Sequence, residues 1–244
     1  MFLPTTKEEI KQLGWSGLDV ILVSGDAYVD SPFTGAAVIG KVLLAAGYKV
    51  GIIAQPDAHG EYDIKRLGEP GLFWGISGGT VDSMVANYTA LKKKIRQDDF
   101  TPGGINDRRP DRAVIAYSNL IKKHFKNTKP LVLGGIEASL RRIAHYDYWV
   151  DAVRRSILFD AKADILVYGM GESTVVELAG RLKAGEDYRD VKGICYASTE
   201  PKPGFTLLPS YEECKADKTK FAEMFKMFYC NMDPVTADGL CQRQ

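Results

Sequence analysis

The chain has 244 residues, 45% hydrophobic and 26% charged, with a formal net charge of +1. That length suits one large domain, or one domain with an appendage, and the composition is ordinary for a soluble globular protein. No run of about eighteen apolar residues marks a membrane span, and MFLPTTKEEIKQLGW lacks the basic and apolar regions of a secretory signal. The expected location is the cytoplasm.

Taken in order, Asp19-Val20-Ile21-Leu22-Val23-Ser24 is the first strand, ending in Gly25-Asp26. Phe33 to Ala46 carries apolar residues at helical spacing, and Gly47 is a C-cap signal. Tyr48 to Ala54 is the second strand, so these elements form a βαβ unit with parallel strands. Leu72 to Ser77 is the third strand; a helix capped by Thr80 or Asp82 runs from there to about Ile95. After the Pro- and Gly-rich loop DDFTPGGINDRRPD, a helix over Arg112–Phe125 leads to the fourth strand, Leu131-Val132-Leu133. Ala163 to Tyr168 is the fifth strand, followed by a helix to about Leu182, and Val191 to Ala197 adds an edge strand.

Strands interleaved with helices predict an α/β fold with a doubly wound parallel sheet. Ligands in such sheets bind beyond the strand C-termini. Four of the five strand tips here carry glycine: Gly25, Gly78-Gly79, Gly134-Gly135 and Gly169/Gly171. That suits a crevice where backbone approaches a ligand, and equally suits tight βα turns. Ser24, Asp26, Ser77, Gly78, Gly134, Gly135, Gly169 and Glu172 are the candidate ligand-binding residues at these tips.

The stretch LVLGGIEASLRRIAHYDYW concentrates further candidates: Glu137, Arg141, Arg142, His145, Tyr146 and Asp147. Ile136 to Ala144 is expected to be a helix, with the string from His145 to Trp149 folding back over the sheet edge. Asp147 could orient His145 for proton transfer, while a structural histidine at a helix end is the alternative. Arg141 and Arg142 could clamp an anion or make surface ion pairs. No catalytic or metal-ligating residue is assigned.

Several chemistries are absent from the sequence. There is no GxxxxGK[ST], no GxGxxG after a strand and no HExxH. Cys195, Cys214, Cys230 and Cys241 are spaced 19, 16 and 11 residues apart, with no CxxC or CxxxCxxC. His59 follows the second strand, whereas a base-on cobalamin site places its histidine after the first, so His59 reads as a loop residue. Between Lys92 and Arg155 fifteen Lys/Arg face seven Asp/Glu, a net +8 that leaves −7 elsewhere. This basic middle third could contact phosphates or be a solvated surface.

From Thr199 the character changes. TEPKPG is a linker, Tyr211 to Phe228 reads as one amphipathic helix with Phe221, Met224, Phe225 and Phe228 on one face, and NMDPVTADGLCQRQ reads as a segment whose partner lies elsewhere. The expected division is a domain over 1–198 and an appendage over 199–244.

The blocks GISGGTVDSMVANYTALKKKIRQDDFTPGG, RPDRAVIAYSNLIK, LGGIEASLRRIAHYDYW and ADILVYGMGE resemble the N-terminal half of the YgiQ family of radical SAM proteins, from about Phe2 onward. More distantly, LGGIEAS and YGMGE resemble the cobalamin-binding-type domain that precedes many radical SAM cores. The resemblance implies a flavodoxin-like or cobalamin-binding-like domain of strand order 2-1-3-4-5, upstream of a core in the same polypeptide. That core would bind a [4Fe–4S] cluster and S-adenosylmethionine through a CxxxCxxC loop, and this chain has no such loop. It therefore resembles a family member cut before its catalytic core, with no cofactor of its own, and the missing cobalt-ligand motif counts against cobalamin. The expected function is a substrate- or cofactor-binding accessory domain, inactive alone. The alternative is a binding or docking module without chemistry, for a small molecule or RNA.

Overall fold

The computed structural model describes residues 1–233 and 235–244. The chain runs through α1 (Lys7–Gln12), β1 (Val20–Ser24), α2 (Gly35–Ala45), β2 (Val50–Ala54), α3 (Tyr62–Lys65), β3 (Phe73–Ser77), α4 (Ser83–Asn87), α5 (Ala113–His124) and β4 (Leu131–Gly134). It continues through α6 (Gly135–Leu140), β5 (His145–Asp147), β6 (Ala152–Arg154), α7 (Ile157–Asp160), β7 (Ile165–Val167) and α8 (Glu172–Ala184). The last elements are β8 (Ile194–Tyr196), β9 (Thr206–Leu208), α9 (Tyr211–Ala216), α10 (Lys218–Cys230) and β10 (Leu240–Gln242).

Six strands form the central sheet in the order β2-β1-β3-β4-β7-β8. The first five are parallel and β8 closes the edge antiparallel to β7. This is the doubly wound, flavodoxin-like order 2-1-3-4-5 with one added edge strand. Ser24 lies opposite both Ala54 and Ser77, and Ser77 opposite Gly134, so the strand C-termini form one flush edge.

Strand residues alternate between two apolar layers. Ile21, Val23, Trp74, Ile76, Leu131 and Leu133 pack with Val114, Tyr117 and Ile121 of α5. Val20, Leu22, Phe73, Val132, Ile165 and Val167 pack on the other face with Leu43 of α2 and Leu178 of α8. Both faces of a parallel sheet must be covered, which explains why these strands are apolar throughout rather than alternating.

Three helices are shorter than their sequence periodicity predicts. α4 is capped by Asp82, not Thr80: the Asp82 carboxylate accepts from Met84 N at 2.9 Å. It stops at Asn87, whose side-chain amide donates to Arg109 O and Asp111 Oδ1 and ties the chain to the following loop. α6 ends at Leu140 instead of Ala144, and His145 begins a strand that pairs with β6, so the expected aromatic loop is a hairpin. The helix expected over Tyr211–Phe228 breaks at Asp217, an extended residue whose carboxylate accepts from Thr219 N at 2.7 Å and starts α10. Met224 is buried while Phe225 is exposed, so the four apolar side chains do not share one buried face.

The chain's end also departs from expectation, because part of it pairs within the chain. β10 runs parallel to β9, and Gln242 and Gln244 accept from Ala144 N and Ser156 N at 2.8 and 2.7 Å. A small apolar cluster of Ala144, Leu208, Cys214 and Met224 joins this segment to the β5–β6 hairpin. No helix among the described residues is long and apolar enough to cross a membrane.

Candidate functional site

A cleft of about 360 Å³ opens at the C-terminal edge of the sheet. Its position follows from connectivity. The chain leaves β1 for α2 on one side and β3 for α4 and α5 on the other, so the sheet edge is left uncovered where the order reverses. The floor is apolar, from Leu22, Phe73, Val132, Val167 and Val175, while the mouth is made of strand tips and the first turns of α2 and α8. Neither helix has a side-chain cap at its N-cap residue, Thr34 or Gly171. The positive ends of both helices therefore border the mouth, where Ser24, Ser77 and Thr80 add hydroxyls. The arrangement fits a ligand with an apolar body and a polar or anionic end.

Seven of the fourteen candidate residues line this cleft: Ser24, Asp26, Ser77, Gly134, Gly135, Gly169 and Glu172. Asp26 is not a free carboxylate. Its Oδ1 is 2.6 Å from Arg109 Nη2 and its Oδ2 accepts from Thr80 N. Arg109 Nε also donates to Gly25 O at 3.1 Å, and its Nη1 is 3.2 Å from Asp98 Oδ2. Thr101 donates to Asp98 at 2.6 Å and accepts from Gln55 Nε2 at 2.7 Å, which completes a buried polar chain beneath the mouth.

The other seven candidates lie outside the cleft. Gly78 packs against Glu137, leaving no room for a Cβ. Glu137 is buried and accepts from Ser83 N at 2.9 Å and Val114 N at 3.2 Å, joining the starts of α4 and α5. Burial pushes its carboxyl above the ordinary range, and Asp82 adds to that. Arg141 pairs with Asp82. Arg142 is stacked between Tyr168 and Phe228, with ring centroids 4.6 and 4.4 Å from its guanidinium carbon, and burial lowers its pKa.

His145, Asp147 and Arg154 belong to the hairpin, which packs beside the N-terminal end of α5. Asp147 Oδ2 is 2.7 Å from Arg112 Nη2, and Asp147 also accepts from Trp149 N at 2.9 Å. His145 Nδ1 lies 3.1 Å from Ile143 O; burial holds its pKa below the usual imidazole value. Asp147 is thus engaged with Arg112 and not with the imidazole. Tyr146 is half exposed, and its hydroxyl donates to Asp151. The space enclosed by Glu137, Arg141, His145 and Asp147 is only about 10 Å³, too small for a ligand.

Phe33, Ala36 and Ile39 of the cleft wall and the anchoring Arg109 were not among the candidates the sequence offered. The α2 residues had a legible signal, since they follow the tip of the first strand. Arg109, inside a charged loop, had none.

An iron–sulfur cluster does not fit these residues. Among the described residues no three His, Cys, Asp or Glu side chains converge as a metal site. Cys195 lies on β8, Cys214 is buried in α9, and Cys230 and Cys241 fall on α10 and β10. The cleft lining likewise contains no histidine that could reach a cobalt ion.

Fold and cleft together define a flavodoxin-like α/β domain with a ligand-sized crevice at its strand tips. The chain belongs to the radical SAM N-terminal family, which matches residues 2–244. It is 60% identical over 243 residues to a UPF0313 protein of Fusobacterium nucleatum, covering 99% of this chain and 43% of that protein. A UPF0313 protein of Thermotoga maritima is 55% identical over 248 residues, covering 100% of this chain and 43% of the relative. The chain thus spans 43% of the length of these relatives. Among solved structures, it is similar to the radical S-adenosylmethionine methyltransferase TsrM from Kitasatospora setae, with a TM-score of 0.48 and 19% identity over 74% of this chain and 28% of that one.

Proposed function

We propose that this chain is the N-terminal accessory domain of a YgiQ-like radical SAM iron–sulfur enzyme and that its cleft binds the substrate or an organic cofactor. The observation that carries the reading is the cleft itself, an apolar slot at the C-terminal edge of the sheet, bordered by the starts of α2 and α8, whose N-cap residues make no side-chain cap. A downstream core of the same polypeptide supplies the [4Fe–4S] cluster and S-adenosylmethionine, and residues 199–244 lead toward it. The 244 residues alone are inactive in S-adenosylmethionine cleavage. Cobalamin, if held, would find no protein imidazole in the cleft.

Two measurements test this. Thermal unfolding is followed with adenosine, AMP and hydroxocobalamin as probes, for the native chain and for Gly35→Trp. Gly35 lines the cleft at the start of α2, and a Cβ there meets open space, so an indole can be placed at the mouth without displacing a neighbour of that Cβ. A saturable rise in Tm with one probe, lost in the variant at unchanged basal Tm, is expected. No shift with any probe, or an equal shift in the variant, rejects the cleft. Separately, anaerobic reconstitution with iron and sulfide should leave the chain without a stoichiometric cluster; cluster incorporation with 5′-deoxyadenosine production would make it an enzyme by itself.

A further inference from the structure

Away from the cleft, aromatic rings and cations gather where two loops meet. The ring of Trp149, just beyond β5, lies 5.4 Å from that of Tyr88 and 5.4 Å from that of Tyr148. Lys92 Nζ sits 4.9 Å from the Tyr148 centroid, and Lys94 Nζ 5.0 Å from that of Tyr88. The Tyr88–Lys94 turn is closed by Thr89 N to Lys93 O at 2.9 Å and Lys92 N to Thr89 O at 2.8 Å. Lys92 has a φ of +59°, a conformation in which glycine carries no steric cost. A lysine is held there, and its ammonium donates to Trp149 O at 3.3 Å.

The charges around these rings are unbalanced. Lys92, Lys93, Lys94 and Arg96 are all exposed, and among the described residues only Lys94 of the four has an ion-pair partner, Asp111 at 3.9 Å. Two carboxylates border these four cations, Asp111 accepting from the Tyr88 hydroxyl at 2.7 Å and Asp151 from that of Tyr146, so positive charge exceeds negative. Tyr146 and Tyr148 remain 50% and 49% exposed, as packed core aromatics would not be.

Half-exposed rings supply faces on which bases stack, and free cations at the same place meet the phosphates between them. A duplex keeps its bases stacked on one another, and an acidic polypeptide would use the cations but not the rings. We propose that Tyr88, Tyr146, Tyr148 and Trp149, with Lys92, Lys93, Lys94 and Arg96, form a binding surface for single-stranded nucleic acid. Lys92 and Lys94 leave the ring faces for phosphates as bases take their place. The surface is separate from the cleft, so the two readings stand or fall independently.

The test is fluorescence anisotropy of a labelled oligouridylate dodecamer with the 244-residue chain, beside oligothymidylate, a duplex of equal length and polyglutamate as competitor. Three to four phosphate contacts predict that affinity falls roughly 20- to 50-fold between 50 and 200 mM salt. Trp149→Ala should weaken binding about 5- to 160-fold through lost stacking. The double variant K93Q/R96Q should reduce the salt slope by about 1.4. Its two side chains make no hydrogen bond or ion pair among the described residues, so it decides the matter if circular dichroism shows Trp149→Ala misfolded. Tighter binding of oligouridylate than oligothymidylate would assign RNA, and the reverse DNA. No saturable binding at 50 mM salt, equal affinity for the duplex, displacement by polyglutamate at matched charge, or a salt slope unchanged in K93Q/R96Q overturns the proposal.

Discussion

Arg109 places Nη2 2.6 Å from Oδ1 of Asp26, a residue 83 positions earlier, with 0% and 3% of the two side chains exposed. Through this pair the 98–111 loop is fastened across the tip of β1, and Ala27 N donates to Phe100 O at 2.9 Å beside it. Asp26, which lines the cleft, is therefore held in place by a loop far from it in sequence. Removing the guanidinium leaves two buried carboxylates, Asp26 and Asp98, without the cation they share. Arg109→Ala should lower stability by about 3–5 kcal/mol, measured by urea unfolding, and Arg109→Lys should lose less because one charge remains.

Two glycines at the strand tips should behave differently. Gly169 has a φ of +69° with open space where a Cβ would sit, so Gly169→Ala carries only the backbone cost, about 1 kcal/mol. Gly79 has a φ of +112°, and a Cβ there would run into the Asp26 carboxylate. Gly79→Ala should cost upwards of about 3 kcal/mol, because it dislodges Asp26 from Thr80 N and Arg109 as well as straining the backbone. Equal denaturation midpoints for the two variants would contradict this.

The hairpin carries a pH response. Burial lowers the pKa of His145, with Arg141 adding to the effect. An imidazole whose folded pKa lies below its unfolded value of about 6.5 binds protons preferentially in the unfolded chain. Its contribution is complete above pH ~6.5 and is lost as pH falls through the folded pKa. Urea midpoints between pH 7.5 and 5 should fall more steeply for the native chain than for His145→Gln, with the curves converging at the alkaline end in slope.

Asp217 separates α9 from α10 as the N-cap of the second helix. Asp217→Ala leaves the Thr219 N–H without its acceptor and should cost about 1 kcal/mol, with Asp217→Asn recovering most of it. Circular dichroism with thermal unfolding reads both.

The strand–helix alternation and the row of strand tips were legible in local hydrophobic runs and glycine punctuation, whereas the strand order 2-1-3-4-5 followed from the family resemblance. Ser24, Ser77, Gly134 and Gly169 could be set on one edge from those signals alone, and they line one cleft. Packing settled what each polar side chain does. Glu137, Arg141 and Asp147 looked like site chemistry, yet each is consumed by a partner 23 to 59 residues away: Val114 N, Asp82 and Arg112. It also decided where helices stop, since Asn87 and Asp217 end or start them through bonds that outweigh small differences in helix propensity. A buried charge must be neutralised by whichever opposite group the fold brings within reach. That distance is fixed by the packing of whole elements, so it is not written in the residues adjacent to the charge.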